Sequence, residues 1–244
     1  ALAVYIFNPL ATLASRSFQP DPLMVMFIVW ALYFQFEWLE KDTLKTSLLA
    51  GIFTGLAVFI KISSVFFVGF SMIAIVLVVG LKKSLRNWHV YLIAAISLLP
   101  ALIYYGISAT VGGNAGAIFG ARWVPSLFSD PKWYLNWLYL ARQVIGLYPI
   151  IIALLGFFLL REKKHRAVYF AMWLGYLCYG FMFAYHIYTH NYYHLPFLPM
   201  VALGFGVVGG EIFRTLEERH LNRALQALVL VLFAFSVGLC VMKS

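Results

Sequence analysis

The chain has 244 residues, of which 63% are hydrophobic and 11% are charged, and its mean hydropathy is +0.87. This composition excludes a soluble globular protein, because it supplies too few polar side chains to cover a water-exposed surface of this size. The net charge of +9 is spread over short connections without an aromatic platform between them. That pattern excludes a nucleic-acid footprint and indicates an integral membrane protein.

Hydrophobic windows of about 20 residues, the length of a bilayer crossing, predict eight membrane segments after a truncated first helix. The sequence therefore predicts an all-α, polytopic transmembrane helix bundle, organised as one domain over residues 1–244. The eight segments are Pro22–Leu39, Ser47–Ile60, Ile62–Leu81, Val90–Ile107, Gln143–Leu160, Ala167–Tyr185, Leu195–Ile212 and Ala224–Met242.

Basic residues are concentrated in every second connection between these segments. By the positive-inside rule those connections are cytoplasmic and the others are external. The cytoplasmic set comprises Lys41, Lys45, Lys82, Lys83, Arg86, Arg161, Lys163, Lys164, Arg166, Arg214, Arg219 and Arg223. We expect the plasma membrane of a prokaryote rather than the endoplasmic reticulum.

Lys61 marks a turn between two crossings. A single helix from Ser47 to Leu81 would be roughly 50 Å long, whereas the hydrocarbon core is about 30 Å thick. The chain must therefore reverse near Lys61, on the external side. Lys61 is then either a lysine that anchors a helix end at the headgroups or a cation that binds a lipid phosphate.

Asp21 is the best candidate for a catalytic residue, because few carboxylates fall on the external side. It lies in the run SRSFQPDP, five residues after Arg16. Asp21 is expected either to act on an acceptor or to form an interfacial ion pair with Arg16. Arg122 and Arg142, in the long loop from 108 to 142, are candidate phosphate ligands. That loop exceeds an ordinary connection and is expected to be functional or to carry an interfacial helix.

The last external loop contains three histidines at intervals of four, His186, His190 and His194, followed by a helix entered through two prolines. The spacing is compatible with a zinc site, but no external cysteine and no carboxylate nearby in the sequence completes one, so no metal site is predicted. His190, Tyr193 and His194 are instead candidate substrate contacts. One external carboxylate near the site is too few to predict a divalent metal, although a metal cofactor stays open.

The stretches "SRSFQPDPLMVMFIVWALYF", "LLAGIFTGLAVFIKISSVFFV" and "HNYYHLPFLPMVAL" resemble GT-C membrane glycosyltransferases of the protein O-mannosyltransferase and aminoarabinose-transferase type. The resemblance implies transfer of a sugar, with inversion, from a polyprenyl-phosphate carrier to an acceptor on the external or luminal side. It also implies that an acidic first external loop, with about three helices, lies upstream of Ala1. The chain would then be an inactive, carrier-binding fragment whose partners are the lipid-linked donor, an acceptor and membrane lipids.

Within this interpretation, Asp21 and Arg16 are the catalytic candidates. Lys61, Arg122 and Arg142 would stabilise the charge that develops on the departing phosphate. Two alternatives are a transporter or flippase for a lipid-linked sugar and an O-antigen polymerase or ligase. A transporter should carry ionisable residues near mid-membrane, whereas the predicted segments keep theirs near the ends.

Overall fold

The computed structural model describes residues 1, 5–6, 8–16, 19–111, 122–218 and 223–242. Within these ranges the chain forms helices and no strand, which confirms the predicted all-α bundle. The α-helices are α1 (Pro9–Ser15), α2 (Asp21–Lys41), α3 (Leu44–Ile60), α4 (Val65–Val79), α5 (Leu81–Ser84), α6 (Trp88–Thr110), α7 (Pro131–Ile145), α8 (Leu147–Leu159), α9 (Lys163–Met182), α10 (Ala184–Ile187), α11 (Leu198–Glu218) and α12 (Arg223–Met242). Short 3₁₀ turns cover Ile62–Ser64, Pro125–Ser129 and Asn191–Phe197.

The chain is a multi-pass integral membrane protein, as predicted. Four helical stretches are long and apolar enough to cross a bilayer, and the pair α7 and α8 supplies a fifth if it is counted as one bent span. Helix α3 is apolar but shorter, with 17 residues. All eight predicted segments are largely helical, while their number as crossings stays a prediction. The four stretches are Asp21–Lys41, Ile62–Val79, Trp88–Thr110 and Asn191–Glu218.

The bundle core forms where apolar helices pack in pairs. Helix α2 packs along α3, α3 along α6, α4 along α9, and α8 along α11. Small residues permit the close approaches: a Cβ atom on Gly55 would lie 2.8 Å from the backbone oxygen of Ile96. Gly51 and Gly55 therefore belong to a small-residue packing face between α3 and α6.

A polar group also joins three helices inside the bundle. The Gln35 side chain is fully buried, and its Nε2 donates to Thr54 Oγ1 and to the Val68 carbonyl, each at 3.1 Å. Ser71 Oγ donates to Gln35 Oε1 at 2.6 Å. Since every polar atom of the amide is paired, Gln35 connects α2, α3 and α4 without an unsatisfied group.

Different contacts hold the helices together at the two ends of the bundle. At the basic end, Asp42 accepts hydrogen bonds from Asn87 and His89, and Lys164 pairs with Glu40. These bonds bring three of the predicted cytoplasmic connections together. The opposite end, which we call the Lys61 end, holds the starts of α2, α4 and α11 and the ends of α3 and α9. Residues 112–121 of the long loop, and Arg219, lie outside the described residues.

One predicted segment contains a helix break near its start. Within Gln143–Leu160, Gly146 adopts a φ of 91° and the helix axis bends by 92° between α7 and α8, so the second helix begins at Leu147. Gln143 belongs to α7, an amphipathic helix that buries Trp133 and Trp137. Helix α7 is the helix expected within the long loop.

Candidate active site

Asp21 and Lys61 form an ion pair at the Lys61 end of the bundle. Helix α2 begins at Asp21, directly after Pro20, and α3 ends at Ile60, so both residues lie where their helices meet this end. Lys61 takes an extended backbone conformation that ends α3, and the 3₁₀ turn Ile62–Ser64 follows it, at the position where the sequence predicts a turn. Lys61 Nζ lies 2.6 Å from Asp21 Oδ1, and the two side chains are 17% and 3% exposed.

Two tyrosines of the 3₁₀ turn Asn191–Phe197 line the other side of the ammonium group. Lys61 Nζ lies 4.5 Å from the centre of the Tyr193 ring and 5.7 Å from that of Tyr192. Aromatic faces attract a cation at these distances. Lys61 is therefore held between a carboxylate and an aromatic wall, and its side chain keeps limited access to the surroundings.

Arg122 adds a second cation to this region. It is half-buried, and its Cζ lies 5.6 Å from the centre of the Phe183 ring. Burial, and to a smaller extent the nearby charges of Arg122, His190 and Lys61, together lower the pKa of His186 from 6.5 to about 4. Arg122 and Lys61 therefore both raise the electrostatic potential around His186, which would favour an anion bound there.

His186 and His190 belong to this region, since their rings stack with centroids 5.2 Å apart. The His186 ring also lies 4.9 Å from the Tyr193 ring. We call Lys61, Asp21, Arg122, His186 and Tyr193 the Lys61 cluster. The predicted residues Asp21, Lys61, Arg122, His190 and Tyr193 thus come together in or beside one site.

His194, a candidate for direct substrate contact, is held inside the protein by hydrogen bonds. Its side chain is fully buried, with Nδ1 2.7 Å from the Tyr176 hydroxyl and Nε2 2.9 Å from the Ile187 carbonyl oxygen. Both ring nitrogens are therefore occupied inside the protein. The turn preceding Pro196 is 3₁₀ and not α-helical, so His194 leaves the face that four-residue spacing predicts.

Among the described residues, Arg16 and Arg142 form no ion pair with this site. Arg16 follows α1 and is exposed, and Asp21 pairs with Lys61 and not with it. The expected Arg16–Asp21 pair does not form, because Asp21 is buried at the start of α2 whereas Arg16 remains on the surface. Arg142 is exposed near the end of α7.

A metal site is not assembled at the Lys61 end within the described ranges. His194, the third histidine of the series, has no free ring nitrogen. The described group with ligand atoms close enough for a metal is Glu40, Glu162 and His165, within 4.8 Å of one another at the basic end. There the ammonium group of Lys164 already pairs with Glu40 and Glu162, in the position that a metal ion would take.

Sequence reasoning missed several aromatic residues beside the site. Tyr176, Tyr179 and Phe183 recur on one face of α9 and the residue after it, and this spacing is the pattern that could have indicated them. The Tyr179 ring stacks parallel to Tyr193, with centroids 6.0 Å apart. The hydroxyls of Tyr179 and of Ser64, three residues after Lys61, are buried without a hydrogen-bond partner among the described residues.

Comparison with known proteins supports the resemblance stated from the sequence. No curated protein and no solved structure matches the chain. Residues 1–105, which include Asp21 and Lys61, match the family model described as dolichyl-phosphate-mannose-protein mannosyltransferase. Over that part the match confirms that the chain resembles a membrane glycosyltransferase of the GT-C superfamily.

Proposed function

We propose that the protein serves in the transfer of a sugar, with inversion, from a polyprenyl-phosphate carrier to an acceptor at the external or luminal Lys61 end. The family match over residues 1–105 supports a carrier-dependent glycosyltransferase in general. The observation that carries the proposal further is the position of Lys61, an ammonium fixed beside Asp21 and Tyr193 where a membrane helix ends. We assign Lys61 and Arg122 to the carrier phosphate.

The chemistry of the transfer explains why cations are needed there. The bond between the anomeric carbon and the phosphate oxygen breaks as the acceptor oxygen attacks, so negative charge develops on the departing polyprenyl phosphate. Positive groups at this position lower the energy of the transition state. Arg122 can donate two parallel hydrogen bonds to a phosphate, and Lys61 acts as a point charge with rotatable donors.

Asp21 has a different role in this account from the one expected for it. Its carboxylate is 3% exposed and already pairs with an ammonium group, so it is poorly placed to accept a proton from an incoming hydroxyl. We assign Asp21 to positioning: it holds Lys61 in the direction that meets the phosphate. The base that receives the acceptor proton is then another group.

Binding of polyprenyl phosphate to the 244-residue chain tests this proposal. In nanodiscs of zwitterionic lipid, the ligand should raise the unfolding temperature of the wild-type chain by mass action. Lys61→Gln and Arg122→Gln should each reduce that increase. Lys45→Gln is the matched control, because Lys45 is an exposed lysine of the basic end. If Lys61→Gln were stabilised as much as the wild type, the phosphate site would lie elsewhere.

A further inference from the structure

A series of buried hydrogen bonds connects α7 with the turn that carries Tyr192 and Tyr193, the rings beside Lys61. Trp137 Nε1 donates to the Tyr176 hydroxyl oxygen at 2.8 Å. The Tyr176 hydroxyl lies 2.7 Å from His194 Nδ1, and His194 Nε2 lies 2.9 Å from the Ile187 carbonyl oxygen. Four elements are joined in this way: α7, α9, α10 and the turn Asn191–Phe197.

The groups at the two ends of this series of hydrogen bonds, together with a neutral His194, determine which atom donates in each bond. The indole of Trp137 can only donate, and the carbonyl of Ile187 can only accept. His194 must therefore carry a proton on Nε2. In a neutral ring Nδ1 is then unprotonated and accepts from the Tyr176 hydroxyl. A neutral His194 satisfies all of these groups at once, so the ring holds one orientation.

The orientation of His194 determines where the preceding residue lies. Tyr193 is 3% exposed, and its ring packs between Tyr179 and His186 while presenting a face to Lys61. Because Tyr193 and His194 are adjacent in a tight 3₁₀ turn, a shift of one side chain displaces the other. The Tyr176 ring also stacks on Phe197, with centroids 4.0 Å apart, which secures the far end of the same turn.

A second tryptophan of α7 holds the other side of this loop. Trp133 Nε1 donates to the Ala184 carbonyl at 2.8 Å, next to Phe183, whose ring contacts Arg122. Trp133 and Trp137 are one helical turn apart and both are buried. The indoles of Trp133 and Trp137 thus connect α7 to the segments that contact Lys61 and Arg122.

We infer that Trp137, Tyr176 and His194 are positioning residues for the carrier phosphate site, acting through Tyr193 on Lys61. This inference rests on the proposed function, since it requires Lys61 to bind the phosphate. It assigns to His194 an indirect role in place of contact with substrate. It also predicts that loss of one buried hydroxyl in α9 weakens phosphate binding at a residue that the hydroxyl does not touch.

Helix α9 offers a matched pair of tyrosines for the test. Tyr176 and Tyr169 are each 5% exposed, and each hydroxyl is hydrogen-bonded inside the bundle. The Tyr169 hydroxyl donates to the Ala153 carbonyl at 3.0 Å and lies 3.2 Å from the Met200 carbonyl oxygen. Tyr176→Phe and Tyr169→Phe therefore remove the same group from similar surroundings, and only the former interrupts the path to Tyr193.

The affinity of the full 244-residue chain for polyprenyl phosphate, measured in nanodiscs of phosphatidylcholine, distinguishes the two variants. Tyr176→Phe should weaken binding about 10-fold, as loss of one buried hydrogen bond can. Tyr169→Phe should stay within about twofold of the wild type while losing similar thermal stability. His194→Gln, which can keep a donor to the Ile187 carbonyl, should bind more tightly than His194→Ala.

Measuring Tyr176→Phe in the Lys61→Ala variant distinguishes failure of the inference from failure of the proposed function. In that background Tyr176→Phe should weaken binding no further, because its effect passes through Lys61. Equal losses with and without Lys61, or wild-type affinity of Tyr176→Phe, would overturn the inference alone. If Lys61→Ala itself bound the ligand as tightly as the wild type, the proposed function would fail at this site and the inference with it.

Discussion

Lys61 and Asp21 are 40 positions apart in the sequence, yet Nζ of Lys61 lies 2.6 Å from Oδ1 of Asp21. This contact turns two separately predicted site residues into one unit. Removing the ammonium leaves a buried charge without a partner, whereas replacing both groups removes the charges together. The free energy of unfolding should therefore report their coupling directly.

The first prediction concerns that coupling in stability. Lys61→Ala should lower the free energy of unfolding by about 3 to 5 kcal/mol, because the Asp21 carboxylate stays buried and unpaired. Asp21→Asn should cost less, since the amide keeps the shape of the carboxylate. The double variant should be more stable than Lys61→Ala alone. Additive losses in a double-mutant cycle, measured by reversible unfolding in detergent, would contradict the pairing.

The second prediction concerns the polar contact inside the bundle. Gln35→Leu should lower the free energy of unfolding by about 1 to 2 kcal/mol, because the hydroxyl of Ser71 loses its acceptor in a dry environment. Thr110→Ala is the control, since Thr110 is exposed and bonds only within its own helix turn. A loss for Gln35→Leu no larger than that of Thr110→Ala would show that the amide contributes nothing measurable.

The third prediction uses two glycines on helices that pack together. Gly55→Ala should destabilise the bundle by about 1 to 3 kcal/mol, because the new Cβ would lie 2.8 Å from the Ile96 carbonyl oxygen. Gly106→Ala should be neutral or stabilising by up to about 1 kcal/mol, because nothing lies within 4 Å of its Cβ position and alanine favours a helix. Equal effects of the two substitutions on thermal unfolding would argue against close packing of α3 on α6.

The fourth prediction concerns pH. The pKa of His186 is lowered from 6.5 to about 4, chiefly by burial. Between these values the unfolded chain binds a proton that the folded chain does not, so stability rises with pH and the full contribution is present above about 6.5. The unfolding temperature should fall between pH 7 and 4.5, and fall less in His186→Gln. Identical pH profiles would show that His186 titrates alike in both states.

Part of this arrangement could be predicted from local sequence. The turn at Lys61 follows from helix length against membrane thickness, and the grouping of connections follows from the alternation of basic residues. Both depend on short stretches of chain and on the bilayer as a fixed reference. The bend at Gly146 was missed, because hydropathy windows average over a single glycine with positive φ.

The contacts within the site could not be predicted in this way. The partner of Asp21 is set by the packing of α2 along α3, whereas Arg16, five residues away, was the nearest candidate in sequence. The helix entered through two prolines after His194 makes this residue a candidate substrate contact, whereas in the structure a 3₁₀ turn directs its ring towards Tyr176. Side-chain direction at helix ends depends on tertiary contacts that sequence spacing does not record.

The most direct test of the account is the effect of Asp21→Asn in a sugar-transfer assay, with affinity for the carrier and turnover measured on the same folded protein. If Asp21 positions Lys61, the KM for the lipid-linked donor should rise about 10-fold or more, and Asp21→Asn should add little in the Lys61→Ala background. Unchanged carrier binding with a kcat lower by about 10²- to 10⁴-fold would instead identify Asp21 as a general base and contradict the account.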